Sequence, residues 1–280
     1  MLSDNSIEYY EAAWALRTQT MISIMDSETS LARALARMQE FESRHEIVLL
    51  DERLHYRAKP TMDPITRLET AIRAVSCGAT APGFAFTKVN FGEMIASFAH
   101  GCDCVAELGS GYGLRLFQTW LAGGPAEARY VGMEPTASGR GLAAKLAALE
   151  PGMRFESLAG DHQDFDPAAL GRERTLFVTC FALQFAPVIP LDFFRRIAAI
   201  PGEVLCLFIE PVGFQISPTG DRAALQMEGA RARNMNFDFL RTFNAAASEG
   251  LIEPLFIGRD LFGKQDDPFT QGSVILAAKS

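Results

Sequence analysis

The chain has 280 residues, of which 48% are hydrophobic and 21% charged, the balance of a globular protein with room for a sizeable core. Its formal net charge of −8 argues against nucleic acid or an anionic membrane as a main partner, since both bind through basic surface. No apolar run approaches the roughly 20 residues of a membrane-spanning helix.

Residues 1–75 read as helical. Ile7, Tyr10 and Trp14 recur near helical spacing, with Glu8, Glu11 and Arg17 between them. The start of the chain lacks the basic and apolar regions of a signal peptide. Asp26-Ser27-Glu28-Thr29-Ser30 breaks the run, and Ser27 or Thr29 is placed to cap a second helix with Leu31, Leu35 and Met38 as its stripe. That helix is expected to continue towards Glu46. Pro60 and Pro64 mark a loop, residues 65–75 a further short helix, and residues 76–89 a linker rich in small residues. Lys88, at the end of that linker, reads as a surface side chain. Residues 1–89 are therefore expected to form a helical subdomain, serving as a lid or a homodimer contact, and residues 90–280 the main domain.

Asn90 is a plausible cap for a helix that leads into the central tract of the chain. That tract runs apolar from Cys104 and then reads Glu107-Leu108-Gly109-Ser110-Gly111-Tyr112-Gly113 before a helix-like run to Leu121. Alternate glycines permit a sharp turn with positive φ and let a ligand approach the main chain. The helix that follows offers unpaired N–H groups. The spacing is not that of the dinucleotide loop G-x-G-x-x-G, because position 114 is Leu, and a P-loop fails at the same position. An acidic residue followed by x-G-x-G-x-G at a strand end resembles motif I of the class I S-adenosylmethionine-dependent methyltransferases.

Strand and helix signals then alternate. Strands are expected at residues 129–134, 154–159, 174–181 and 203–210, with helices at 139–150, 191–200 and 237–248 and a final hairpin from 251–257 to 272–278. Such alternation implies an α/β fold with a mostly parallel sheet. The methyltransferase resemblance, over roughly residues 90–280, implies a Rossmann-like seven-stranded sheet with a C-terminal antiparallel hairpin. It looks closest to small-molecule O- or N-methyltransferases of the secondary-metabolite or sugar type.

That resemblance also implies roles. S-adenosylmethionine would lie on Glu107, Gly109, Ser110, Gly111 and Gly113, with its ribose on Glu134 and its adenine amino group on Asp161. A carboxylate suits a ribose diol because charge-assisted hydrogen bonds are strong. His162 would stack on the ring or face the acceptor, and Phe181 would lie near the sulfonium. His162, Gln184 and Glu210 are the candidates for orienting or deprotonating a small-molecule acceptor. An insertion at residues 211–235, with Arg222, Glu228, Arg231 and Arg233, could form a cover.

Five cysteines, at 77, 102, 104, 180 and 206, look like small core residues of a reducing, cytoplasmic compartment. Cys102 and Cys104 have no second pair or nearby His to complete a zinc site, so no metal is expected. Two other functions fit less well: a nicotinamide-dependent oxidoreductase, against which the early third glycine speaks, and a non-catalytic protein that keeps the cofactor pocket.

Overall fold

The computed structural model describes residues 7–59, 90–171, 173–263 and 271–280. Two helices come first, α1 (Ile7–Met25) and α2 (Leu31–Arg44). Leu31, Ala34, Leu35 and Met38 are buried on α2, the i, i+3, i+4, i+7 spacing of one helix face. Its N-cap is Ser30, not Ser27 or Thr29, and the Ser30 side chain makes no capping bond.

The next segment departs from the helical expectation. Strands β1 (His45–Leu50) and β2 (Arg53–Ala58) pair antiparallel, with Leu50 opposite Arg53. Asp51 and Glu52 both take positive φ, 48° and 62°, as a two-residue type I′ turn requires. The run Glu46-Ile47-Val48-Leu49 contains β-branched residues that suit a strand, and Leu54 and Tyr56 alternate with exposed neighbours along β2. The expected helix at 65–75, the linker at 76–89, Lys88 and Cys77 lie outside the described residues.

Asn90 does cap α3 (Phe91–Phe98), its side chain accepting from Glu93 N at 3.3 Å. The alternating elements follow: β3 (Cys104–Leu108), α4 (Leu114–Leu121), β4 (Arg129–Met133), α5 (Ala137–Ala147), β5 (Arg154–Leu158), β6 (Arg174–Cys180), α6 (Leu191–Ala199) and β7 (Glu203–Glu210). After β7 come α7 (Gly213–Ile216), α8 (Asp221–Ala232), α9 (Phe239–Ser248), β8 (Ile252–Phe262) and β9 (Gly272–Lys279). Asn236 serves the start of α9, accepting from Asp238 N and Phe239 N at 3.0 and 2.8 Å.

The large sheet is seven-stranded in the order β5-β4-β3-β6-β7-β9-β8. Strands β3 to β7 run parallel, and β9 is inserted antiparallel between β7 and β8. This is the Rossmann-like sheet with a C-terminal antiparallel hairpin that the sequence implies. Leu108 pairs with both Met133 and Thr179, so the loops after β3, β4 and β6 emerge side by side. In open α/β sheets this carboxyl edge is where ligands bind.

One face of the sheet is packed by phenylalanines, among them Phe165, Phe177, Phe193, Phe208, Phe239 and Phe243. The other face joins Val105, Leu116, Tyr130 and Leu207 to Met21, Leu35 and Met38. The described part of the N-terminal region therefore shares its core with the sheet. A polar clasp reinforces that docking. The Glu11 carboxylate accepts from Ser138 N at 3.0 Å, and the Glu11 carbonyl accepts from Ser138 Oγ at 2.8 Å. Ser138 lies in the first turn of α5, where N–H groups have no intrahelical partner and a negative charge is favoured.

We expect Glu11→Ala to destabilise the fold by about 1 kcal/mol, the value of a lost N-terminal cap. Limited proteolysis should then cut within α1 sooner than in the wild type. An unchanged cleavage rate would show that Glu11 contributes nothing to seating α1.

Candidate active site

The loop after β3 is built by its glycines. Gly109 has φ of 71°, and a Cβ there would stand 2.6 Å from the Ala182 Cβ. The loops after β3 and β6 can therefore meet only if this residue lacks a side chain. Gly111 has φ of 55°, and a Cβ there would stand 2.7 Å from Trp14 Cζ2. The close approach expected of a ligand at Gly111 is made by the indole of α1. Trp14 also meets Tyr112 edge-on at 5.4 Å, and Arg17 lies over the indole at 4.6 Å.

Four carboxylates gather at this edge, and each has a different state. Glu134 is 5% exposed. It accepts from Gly111 N at 2.9 Å through Oε2, and from Thr136 N at 3.1 Å and Thr136 Oγ1 at 2.5 Å through Oε1. A carboxylate has about four acceptor positions, so Glu134 keeps about one, on Oε2. Asp161 accepts from Gln163 N at 2.7 Å, which shapes the turn after β5. Glu107 is 2% exposed, and its Oε2 has no hydrogen-bond partner. Burial pushes its pKa up to about 8; Glu134 adds to this, while Arg115 opposes it.

Glu210 is the fourth, and it does not face the crevice. It is 1% exposed and accepts from three successive backbone N–H groups, Ala182 and Leu183 at 3.1 Å and Gln184 at 3.4 Å. It closes the short 3-10 turn Leu183–Phe185. Gln184 is turned the same way: it is buried, and its Nε2 donates to Phe181 O at 3.0 Å. Neither side chain lines the main cavity, so neither is placed to touch an acceptor. Gln184 thereby holds Phe181 and Glu210 the three residues after it; Phe181 takes φ of 55°, a conformation that costs a bulky residue roughly 1–3 kcal/mol and persists only where its surroundings impose it.

The cavity at this edge has a volume of about 560 Å³, within the usual range for a small-molecule site. It brings together Glu107, Gly109, Ser110, Gly111, Glu134, Asp161, His162 and Phe181. Gly113 stands behind them, and a Cβ there would meet the Phe117 ring at 2.9 Å. His162 is hydrogen-bonded to the backbone of Val188, and burial lowers its pKa, so the ring is neutral at pH 7. Cys180 also lines the cavity, but burial raises its pKa to about 12, which leaves it a thiol and not a nucleophile. Ile7, Tyr10 and Trp14 of α1 complete the wall.

The insertion at 211–235 contributes nothing to that lining. It forms a small core of Phe214, Ala223, Ala230 and Met235, against which Phe185 packs. It backs one wall of the cavity and does not cover the mouth. Two features of the site were missed by sequence reasoning, Thr136 and the positive φ at Phe181. The first has a faint signal, a hydroxyl two residues beyond the strand-end acid. The second has none, because an aromatic residue at positive φ is imposed by tertiary contacts. Among the described residues, no three His, Cys, Asp or Glu side chains are grouped to hold a metal.

No protein-family model matches the chain, and no curated protein matches it. Solved structures do. One is a geranyl diphosphate C-methyltransferase from Streptomyces coelicolor A3(2), at 13% identity and TM-score 0.47, covering 68% of this chain and 77% of that one. Another is a SAM-dependent methyltransferase from Aquifex aeolicus, at 11% identity and TM-score 0.46, covering 79% and 100%. A third is the N-terminal domain of EvdMO1 with SAH bound, at 17% identity and TM-score 0.44, covering 80% and 99%. Likeness at this level does not decide function, which must come from the site itself.

The state of Glu210 can be tested through stability. Its folded pKa of about 7 lies above the ordinary carboxyl value, so between about pH 4.5 and 7 the folded state binds more protons than the unfolded one. Stability contributed by this group is thus highest at low pH and falls as pH rises through that window, by at most a few kcal/mol. We expect Glu210→Gln to flatten that part of the profile in denaturant titrations. Glu210→Ala leaves three N–H groups without an acceptor and should cost about 2–4 kcal/mol. A wild-type profile retained in Glu210→Gln would mean that Glu210 does not titrate there.

Proposed function

We propose that this protein is an S-adenosylmethionine-dependent methyltransferase acting on a small-molecule O or N acceptor. The observation that supports it best is Glu107. A nearly sealed carboxyl with an unpartnered oxygen is costly to keep, and it sits where the glycine loop turns into the cavity. The ammonium of a bound methionine moiety would supply the missing donor. Bound there, S-adenosylmethionine supplies a methyl group already activated as a sulfonium. Glu134 would offer its remaining lone pair to the ribose, from a position fixed by Gly111 and Thr136, and Asp161 would meet the adenine amino group.

The rest of the catalytic work is alignment and exclusion of water. α1 is the element suited to that role, because Tyr10 and Trp14 form the outer wall. His162, neutral and tied to Val188, is the candidate base. Its other ring nitrogen would take the acceptor proton as the bond from the acceptor to the methyl carbon forms and the sulfur–methyl bond breaks, with S-adenosylhomocysteine leaving.

Calorimetry with S-adenosylhomocysteine tests this reading. Glu107 is protonated in the empty site at pH 7, and an ammonium favours its ionised form, so binding should release a proton. Affinity should rise between pH 6 and 7.5, by up to roughly tenfold per unit. Glu107→Gln should bind more weakly and lose that dependence. Absence of binding, or preference for NADH, would remove the methyltransferase reading.

A further inference from the structure

The cavity has two unlike halves. The half along the ends of β3, β4 and β5 is polar and, on the reading above, belongs to the methyl donor. The other half is made by Ile7 and Tyr10 of α1 with Leu183, Phe185, Ala186 and Pro187 after β6. Tyr10 and Phe185 meet there with ring centroids 5.4 Å apart and planes at 58°, giving a broad aromatic surface.

Among the described residues, this half offers little to hold an anion. Among the described lining residues Arg115 is the one Arg or Lys side chain. It stacks over Phe91 at 4.4 Å, donates to Gln118 and faces Glu107, which commits it to the donor half. His162 is neutral. Backbone N–H groups are the other common anion trap. The N–H groups at the start of α4 lie in the donor half, and two further clusters are already filled by the chain's own carboxylates. Glu210 takes the N–H groups of Ala182, Leu183 and Gln184, and Glu11 takes that of Ser138 in the first turn of α5. A phosphate or carboxylate here would lose its hydration against apolar walls without gaining a counter-charge from the described residues. It would also meet the field of the two carboxylates.

We infer that the acceptor is an uncharged, ring-bearing, largely apolar molecule that lies against the Tyr10–Phe185 pair, and that molecules carrying a phosphate or carboxylate are rejected. Aromatic faces favour a ring ligand by offset or edge contacts. The inference rests on the methyltransferase reading for the assignment of the donor half, and extends it to the class of acceptor.

The test compares three probes of one ring system on the full chain: 2-naphthol, 2-naphthyl phosphate and 2-naphthoate. Dissociation constants are measured by calorimetry with and without saturating S-adenosylhomocysteine. 2-Naphthol should bind at least tenfold more tightly than either anion, and Phe185→Ala should weaken 2-naphthol at least fivefold while leaving S-adenosylhomocysteine unchanged. Equal or tighter binding of an anion, or no binding of 2-naphthol, overturns the inference. Failure of S-adenosylhomocysteine alone to bind counts against the donor reading, and the naphthol comparison is then read without it. Should Phe185→Ala not fold, Tyr10→Phe and Tyr10→Ala provide the same contrast, with Phe retaining the ring contact and binding, and Ala losing both.

Discussion

The carboxyl edge of a parallel sheet ends its strands on backbone N–H groups that have lost their ladder partners, and the site follows from how those groups are satisfied. A buried N–H without an acceptor costs as much as a lost hydrogen bond. In this chain the acceptors are side-chain carboxylates. Glu134 serves Gly111 and Thr136, Glu210 serves the turn after β6, and Glu11 reaches across from α1 to Ser138. The bonds to Gly111, to the turn after β6 and to Ser138 each tie one element to another. Glu107 is the exception. Its Oε2 has no hydrogen-bond partner, the opening that the proposed ligand would fill.

The same constraint explains why α1 belongs to the site. Gly111 turns its N–H inward to Glu134, and its open α-carbon side is then covered by the Trp14 ring. The indole shields that hydrogen bond from water, which strengthens it. Glycine at 111 therefore serves two needs at once, a positive φ and the approach of an aromatic ring. Sequence pattern registers the first need and attributes the space to a ligand. The distances assign that space to Trp14.

Much of the fold was legible because buried parallel strands read as continuous apolar runs. β7 (Glu203–Glu210) begins and ends where the sequence placed it, whereas the place of β9 between β7 and β8 was implied by the family resemblance and not by the hairpin pattern. The β1–β2 hairpin was not legible, because its turn residues Asp51 and Glu52 are poor predictors of positive φ and α2 runs directly into β1. At the site, strand-end acids stood out, but their direction did not. A residue at the end of a strand can face the crevice or fold under the adjacent loop, and the difference lies in which N–H groups need an acceptor. Glu210 and Gln184 were drawn inward by the turn 182–184, whose N–H groups had no other partner. Nothing local to Glu210 signals that demand, because the donors lie 26 to 28 residues away in the chain.

This inward use of carboxylates has a consequence for recognition. Loops and helix starts at the edge of an α/β sheet are ready-made anion sites. Once Glu210 and Glu11 occupy them, the same backbone geometry repels the ligands it would otherwise attract. The part of the cavity beyond the donor half is left with aromatic and aliphatic walls and a neutral imidazole. Binding there must come from apolar burial, at roughly 25 cal/mol per Å², together with ring contacts. Selectivity must come from shape and from the cost of desolvating charge. A catalytic group in such a setting works best when it is uncharged before the reaction. Burial keeps His162 in that state, while Asp161 and Asp164 beside it favour the cation that would form on proton uptake. On the proposed reading, the low dielectric that would exclude an anionic acceptor is the same feature that would keep the imidazole ready to accept a proton.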